Sequence, residues 1–376
     1  MSDRRTIPYE PGLDGVRGVS ILGVLLFHAF ATSGHPGWFR GGNLGVSVFF
    51  TLSGFLITTL LVTERSATGR VSLAKFWARR VRRLVPASLV VVTLVVLLSR
   101  TSWFAAKPSD AIAAVWSFTN WHVIAGGGGK LLQTIVGPLG PTWSLAVEEQ
   151  FYVVIAVAVV LTARLARRDR ALAIVLGAVV AMSLVLSNVG SHWSPRLEFG
   201  TDVRAAEIAI GGLLALAVRH WPTMVSNARR LDVLGAGAGA ALLVMFLVAD
   251  YRPPWLLHGG FTLVALLSSA LVVAVLAHGR VCRALSRAPL VRVGAVSYSL
   301  YLVHWPVFLV LSRDRLGFGG LAQVLVKLAV AAAVAVALHL VVEQPIRRTA
   351  VSPRVALAGW VGASAAVSAL AWLLLG

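Results

Sequence analysis

Eleven apolar segments recur along this chain, near 13–32, 44–63, 84–100, 144–163, 171–187, 203–219, 231–249, 261–277, 293–312, 321–342 and 355–375. Each is close to the length a helix needs to cross a bilayer, about 20 residues at roughly 1.5 Å per residue. The hydrocarbon layer offers no water to the backbone, so such a segment closes its hydrogen bonds internally. The fold class expected is therefore all-α, a polytopic transmembrane helical bundle of about 10–11 membrane-spanning helices. Composition agrees: 57% of the 376 residues are hydrophobic and 13% charged, with a mean hydropathy of +0.81.

The net charge of +19 and the pI of about 11.6 do not indicate nucleic acid as a partner. The basic residues cluster in short loops, as the positive-inside rule requires. Arg65, Arg70, Lys75, Arg79, Arg80, Arg82 and Arg83 fall between the second and third segments. Arg164, Arg167, Arg168 and Arg170 follow the fourth, and smaller clusters lie at 219–230, 280–292 and 347–354. With Arg4 and Arg5, these all fall on one side if 110–124 does not cross fully. That stretch is short and carries Asn120 and His122, so it reads as a re-entrant or surface helix. The expected location is the cell (cytoplasmic) membrane, multi-pass, with the N-terminus cytoplasmic. The start shows no cleavable signal pattern, so the first span is expected to be retained. The lone Cys282 excludes an internal disulfide. The Gly126–Gly129 run has no preceding strand and no following Gly-Lys-Ser/Thr, so it reads as a flexible outer loop, not a phosphate loop.

Ionisable groups inside apolar segments are costly and mark function more often than elsewhere. In the first segment, Arg17 and His28 are eleven residues apart, which returns a helix to within about 20° of the same face, and Asp14 leans toward it. Ser53-Gly54 interrupts the second segment, either for close helix approach or to line a cavity. Arg79, Arg80, Arg82 and Arg83 precede Pro86, which is expected to open the third segment. Guanidinium groups in that pattern suit phosphate, although anionic lipid or plain anchoring explains them too. In PTWSLAVEEQFYVV, Trp143 is followed by Glu148 and Glu149 at the outer end of a span. Asp202, Arg204 and Glu207 open another, with Arg204 and Glu207 spaced as an i,i+3 pair. Tyr298, Tyr301, His304 and Trp305 lie deep in a later span, where Pro306 is expected to force a kink. His304 is the second intramembrane imidazole of the chain.

Taken in order, these stretches resemble the membrane-bound acyltransferase-3 family, O-acyltransferases of envelope glycans and some natural products. The landmarks are Leu13-Asp14-Gly15-x-Arg17 with His28; Gly45-Val46, Phe49-Phe50 and Ser53-Gly54-Phe55; Arg79-Arg80-x-x-Arg83 with Pro86; Trp143-Ser144-Leu145 with Glu148 and Phe151-Tyr152; Thr201-Asp202-x-Arg204; Ser297-Tyr298, Tyr301-Leu302 and His304-Trp305-Pro306; and Glu343-x-Pro345 with Arg347. The resemblance implies one membrane acyltransferase domain over 1–350 and an extra C-terminal transmembrane helix over 351–376. It implies acyl-CoA, chiefly acetyl-CoA, as donor cosubstrate, with no metal. The acceptor would be a hydroxyl of an envelope glycan, a glycolipid or a glycosylated small molecule.

The roles that follow are expectations. His28 is the base, oriented by Glu148, with Arg17 and Asp14 in the catalytic set. Arg79, Arg80, Arg83, Ser53 and Tyr298 receive the donor. Asp202, Arg204, His304, Trp143 and Glu149 receive the acceptor. Two departures qualify the resemblance. Ser47 stands where many relatives carry Asp. Many relatives also continue into an outer hydrolase-like domain, so this chain is expected to work either without one or with a separate extracytoplasmic partner. The rival reading is a proton-coupled exporter of a sugar or small molecule, which also uses buried ionisable groups. No inverted repeat or pair of broken helices supports it. A non-catalytic membrane scaffold would leave the intramembrane ionisable groups unexplained.

Overall fold

Every apolar segment read from the sequence becomes helix in the computed structural model, which describes residues 9–101, 103–126, 137–189 and 194–376; no strand occurs among them. Arg4, Arg5 and most of the Gly126–Gly129 run lie outside the described residues. The principal helices are α1 (Pro11–Ala31), α2 (Gly45–Thr68), α3 (Leu73–Leu98), α4 (Pro108–Val115), α5 (Thr119–Ala125), α6 (Thr142–Thr162), α7 (Arg168–Ser187), α8 (Thr201–His220), α9 (Ala228–Val248), α10 (Phe261–Leu276), α11 (Ala288–Ala295), α12 (Ser297–Val310), α13 (Gly320–Leu338) and α14 (Pro353–Leu375). Among the described residues nine helices are long and apolar enough to cross a membrane, and α11 with α12 makes a tenth if the pair is one span. The helix α8 has 20 residues, but Asp202, Arg204 and Glu207 in its first two turns keep it off that count.

Three expectations are refined. The third helix does not open at Pro86: it begins at Leu73, where the Ser72 side chain accepts from the backbone N–H of Lys75, and Pro86 lies inside it. The basic residues therefore ride on the helix itself and not in a loop before it. Pro306 likewise sits inside α12, and the break in that span falls at Val296, whose backbone (φ −99°, ψ 7°) leaves the helical region. Finally, 110–124 is two short helices, parted at Ser117 with φ of 56°. There Asp110 accepts from the backbone N–H of Lys107 and pairs with His122 Nε2 at 2.9 Å.

The chain divides into two units. Unit 1 comprises 1–24, 39–71 and 148–295; unit 2 comprises 25–38, 72–147 and 296–376. In unit 1, α8 packs against α2 and α7, and α10 packs against α9, α8 and α2. Close approach of α2 and α8 depends on glycine: a Cβ on Gly54 would stand 1.8 Å from the Ile208 carbonyl oxygen. Leu52, Phe55, Val264 and Val272 fill the apolar core beside them. In unit 2, α12 packs against α13 and α3, while α14 runs along α3 and α4. Arg82 on α3 donates to the Thr349 carbonyl ahead of α14, and Arg100, just past α3, donates to the Leu374 carbonyl at the far end of α14.

Candidate functional site

The last turn of α1 brings His28 against α12 within unit 2. His28 Nδ1 and His304 Nε2 are 3.3 Å apart, and the other nitrogen of His304, Nδ1, is 2.7 Å from the Tyr301 carbonyl oxygen. A carbonyl only accepts, so His304 Nδ1 carries a proton. In the neutral ring its Nε2 is then a lone pair, which accepts the proton on His28 Nδ1. In that neutral pair of rings, His28 Nε2 carries a lone pair. A two-imidazole relay thus fixes the tautomer of the outer ring, and the hydrogen-bond partners alone assign it.

Burial divides the roles. His304 is fully buried while His28 is half-buried, so His28 is the more accessible ring of the two. Aromatic rings hold the pair. Trp305 lies 5.0 Å from the His28 ring, centroid to centroid, and Phe308 packs edge-on to His304 at 5.7 Å. The Trp305 indole donates to the Gly137 carbonyl. Tyr301, on the same helix face, hydrogen-bonds Ser144 Oγ at 2.5 Å and donates to the Pro141 carbonyl at 2.9 Å. The Trp143-Ser144 motif at the head of α6 therefore seats α12, with Trp143 itself buried.

The basic residues of α3 belong to the same unit. Arg79 is exposed and Arg80 and Arg83 are half-buried, with Arg80 6.0 Å from the Phe76 ring. Arg82, one residue away, is committed to the Ala78 and Thr349 carbonyls. Arg82 thereby ties α3 to the stretch that leads into the last helix. Tyr298 donates to the Leu84 carbonyl at 2.6 Å, so its hydroxyl pins the start of α12 to α3 just beyond Arg83.

The remaining candidates lie in unit 1. Asp14 and Arg17 form a 3.0 Å ion pair one turn apart, and Tyr9 donates to the other oxygen of Asp14. That hydrogen bond to a carboxylate pushes the Tyr9 phenol above its ordinary value. Glu148 accepts from the Tyr152 hydroxyl, which also bonds Ser53 Oγ. Ser53, expected at the donor, is thus joined to Glu148 through one phenol. Glu149 is half-buried on the next position of α6.

Arg204 is buried in a cage of its own. It donates to Glu207 at 2.5 Å, to the Glu198 carbonyl at 2.8 Å and to Ser47 at 3.2 Å, and its guanidinium lies 3.7 Å from the centre of the Phe261 ring. The i,i+3 spacing with Glu207 forms as expected, and Ser47 serves as a neutral acceptor. Asp202 pairs with Arg196 upstream, not with Arg204. Glu198 also receives Tyr251 and Arg252; burial, with the Glu198 carboxylate beside it, pushes the Tyr251 phenol well up.

One group escaped the sequence reading. Lys327, in the middle of α13, is fully buried, and its ammonium donates to Thr32 and Ser33 just past the end of α1. A single charge in LAQVLVKLAVAAAV was the available signal, since intramembrane charges are rare without a role.

Comparison with known proteins adds to this geometry. A family model described as an acyltransferase domain matches residues 10–341. The O-acetyltransferase OatA of Staphylococcus aureus strain NCTC 8325 / PS 47 is 32% identical over 313 residues, covering 80% of this chain and 50% of that protein. The proteins of the same name from strains COL and MRSA252 match to the same extent. The chain spans about half the length of these curated relatives. No solved structure matches.

Proposed function

Because the chain belongs to the acyltransferase-3 family, with multiple membrane-spanning helices, we propose that it is an acyl-CoA-dependent O-acyltransferase of the cell membrane. It moves an acyl group, acetyl in the first instance, to a hydroxyl of an envelope glycan, a glycolipid or a glycosylated metabolite. The observation that carries this reading is the His28–His304 pair, which leaves a basic lone pair on the accessible ring.

A hydroxyl attacks a thioester only as its proton leaves, and a base within hydrogen-bond reach contributes roughly 10²–10⁴-fold. His28 Nε2 takes the hydroxyl proton while the oxygen bonds to the thioester carbonyl carbon. The carbon–sulfur bond then breaks, and the thiolate of CoA takes the proton back from His28. The new imidazolium shares its charge with His304 through Nδ1. Arg79, Arg80 and Arg83 hold the CoA phosphates on the cytoplasmic side, where guanidinium forks suit phosphate. With the N-terminus cytoplasmic, His28 comes near the outer end of α1, close to an external acceptor. Asp202, Glu149 and Trp143 stay as acceptor contacts in this proposal. Arg204 donates to Glu207, the Glu198 carbonyl and Ser47, and acts as a strut.

The test is thermal stability of the purified protein in detergent, with and without CoA and acetyl-CoA, beside an Arg80→Ala, Arg83→Ala variant. A ligand that binds only the folded state raises the melting point by mass action, about 2.7 kcal/mol at a hundredfold excess over Kd. A shift in the wild type that the variant loses supports donor binding at these arginines. No shift with either ligand in folded protein refutes an acyl-CoA donor.

A further inference from the structure

We propose that Lys327 is a positioning residue for the reaction, holding the last turn of α1 so that His28 keeps its register and tautomer against His304. The proposal rests on the reading of His28 as the reacting base. Lys327 donates all three ammonium protons: to the Thr32 carbonyl at 2.9 Å, to Thr32 Oγ1 at 2.8 Å and to Ser33 Oγ at 3.1 Å. Thr32 Oγ1 donates in turn to the His28 carbonyl at 2.7 Å, and the Thr32 backbone N–H reaches the same oxygen at 3.0 Å. The lysine is therefore one hydroxyl removed from the backbone of His28.

The arrangement exceeds what ending a helix requires. The last carbonyls of a helix need donors, and a positive charge there suits the helix dipole, but Gly or Asn in the left-handed conformation meets the need without placing a charge in hydrocarbon. Gly34, with φ of 89°, already turns the chain, and the backbone N–H of Gly320 takes the Ser33 carbonyl. Lys327 adds a charged clamp from the middle of a different helix to a turn that is closed without it. Its second contact runs toward the other imidazole: the ammonium lies 5.8 Å from the centre of the Phe308 ring, which packs edge-on to His304. One buried cation thus braces the carrier of His28 through Thr32 and the wall behind His304 through Phe308. The His28–His304 bond is 3.3 Å, near the limit for a hydrogen bond, so a small slip of α1 breaks it.

The experiment uses the full chain in detergent, as wild type, Lys327→Met and Thr32→Val. Met keeps the volume and removes the donors; Val removes only the bridging hydroxyl and is the milder change. Two quantities are read: release of CoA thiol from acetyl-CoA with a hydroxyl acceptor, giving kcat and KM, and the ring-nitrogen NMR signals of ¹⁵N-histidine protein, with His28 assigned by its loss in His28→Phe. The expected result is a kcat lowered roughly tenfold to a hundredfold in Lys327→Met, as small misplacements of reacting groups produce. KM for acetyl-CoA stays within about twofold, and His28 changes from one neutral tautomer to a mixture. Thr32→Val moves both quantities the same way by less. An unchanged His28 ring signal in Lys327→Met or, where that variant does not fold, in Thr32→Val overturns the proposal. The ring signals decide the matter even if the wild type releases no thiol, an outcome that counts against the proposed function alone.

Discussion

Replacing His304 with Phe tests the two-imidazole relay most directly. The substitution keeps an aromatic ring among Trp305, Phe308 and His28, so packing changes little. It removes two hydrogen bonds: the 2.7 Å bond to the Tyr301 carbonyl and the 3.3 Å bond from His28 Nδ1. Depriving a buried polar group of its partner costs about 1–3 kcal/mol. The Tyr301 carbonyl lies inside α12 and keeps its helical backbone donor, so its loss lowers the melting point only modestly. The loss at His28 falls on the reaction, because the lone pair on Nε2 is no longer enforced and the imidazolium formed during proton transfer loses its neighbour. At about 1.4 kcal/mol per factor of ten, 1–3 kcal/mol corresponds to a kcat lower by roughly 5- to 150-fold. His28→Phe, which removes the base, falls further, below detection in a thiol-release assay. His304→Gln restores a carbonyl acceptor and recovers part of the activity. His304→Phe with kcat within about twofold of wild type refutes the reasoning, because it shows that His28 needs no partner at Nδ1.

Two further outcomes follow from unit 1. Arg204→Lys forfeits the forked contact with Glu207 and the stack on Phe261, and leaves Glu207 buried with a poorer partner; breaking a buried pair of this kind costs about 3–5 kcal/mol, visible as a large fall in melting temperature. Gly54→Ala places a methyl group where the Ile208 carbonyl stands, so α2 and α8 must separate at a cost of about 1–3 kcal/mol; unaltered thermal stability of that variant contradicts the close approach described here.

How much was legible beforehand depended on whether a signal was local. Length and hydropathy identified the long apolar helices, because each such segment satisfies its own backbone. His28 and His304 stood out individually as imidazoles in apolar runs, and Arg204 with Glu207 followed from helical spacing. Their company did not follow. His28 and His304 are separated by 276 residues, and nothing in either segment specifies the other. Arg79, Arg80, Arg82 and Arg83 looked equivalent in sequence, and the carbonyls that Arg82 meets, of Ala78 and Thr349, are visible only in the folded chain. The place of Pro86 was misread because proline costs a helix one hydrogen bond and a clash, which does not always end it. Lys327 was passed over because one charge in a long apolar run resembles noise until its three acceptors are seen.

The division of the chain also has a bearing on biogenesis. Unit 2 is assembled from an early stretch, 25–38, and the final 81 residues, 296–376, with 72–147 between them in order. At a synthesis rate of roughly 5–20 residues per second, the ribosome makes His304 some 14–55 s after His28, and Lys327 later still. Throughout that interval α1 carries its imidazole without the His304 ring that later meets it. Nascent chains arrested before residue 296 therefore lack the His304 partner of His28, which makes such products natural clients for membrane quality control.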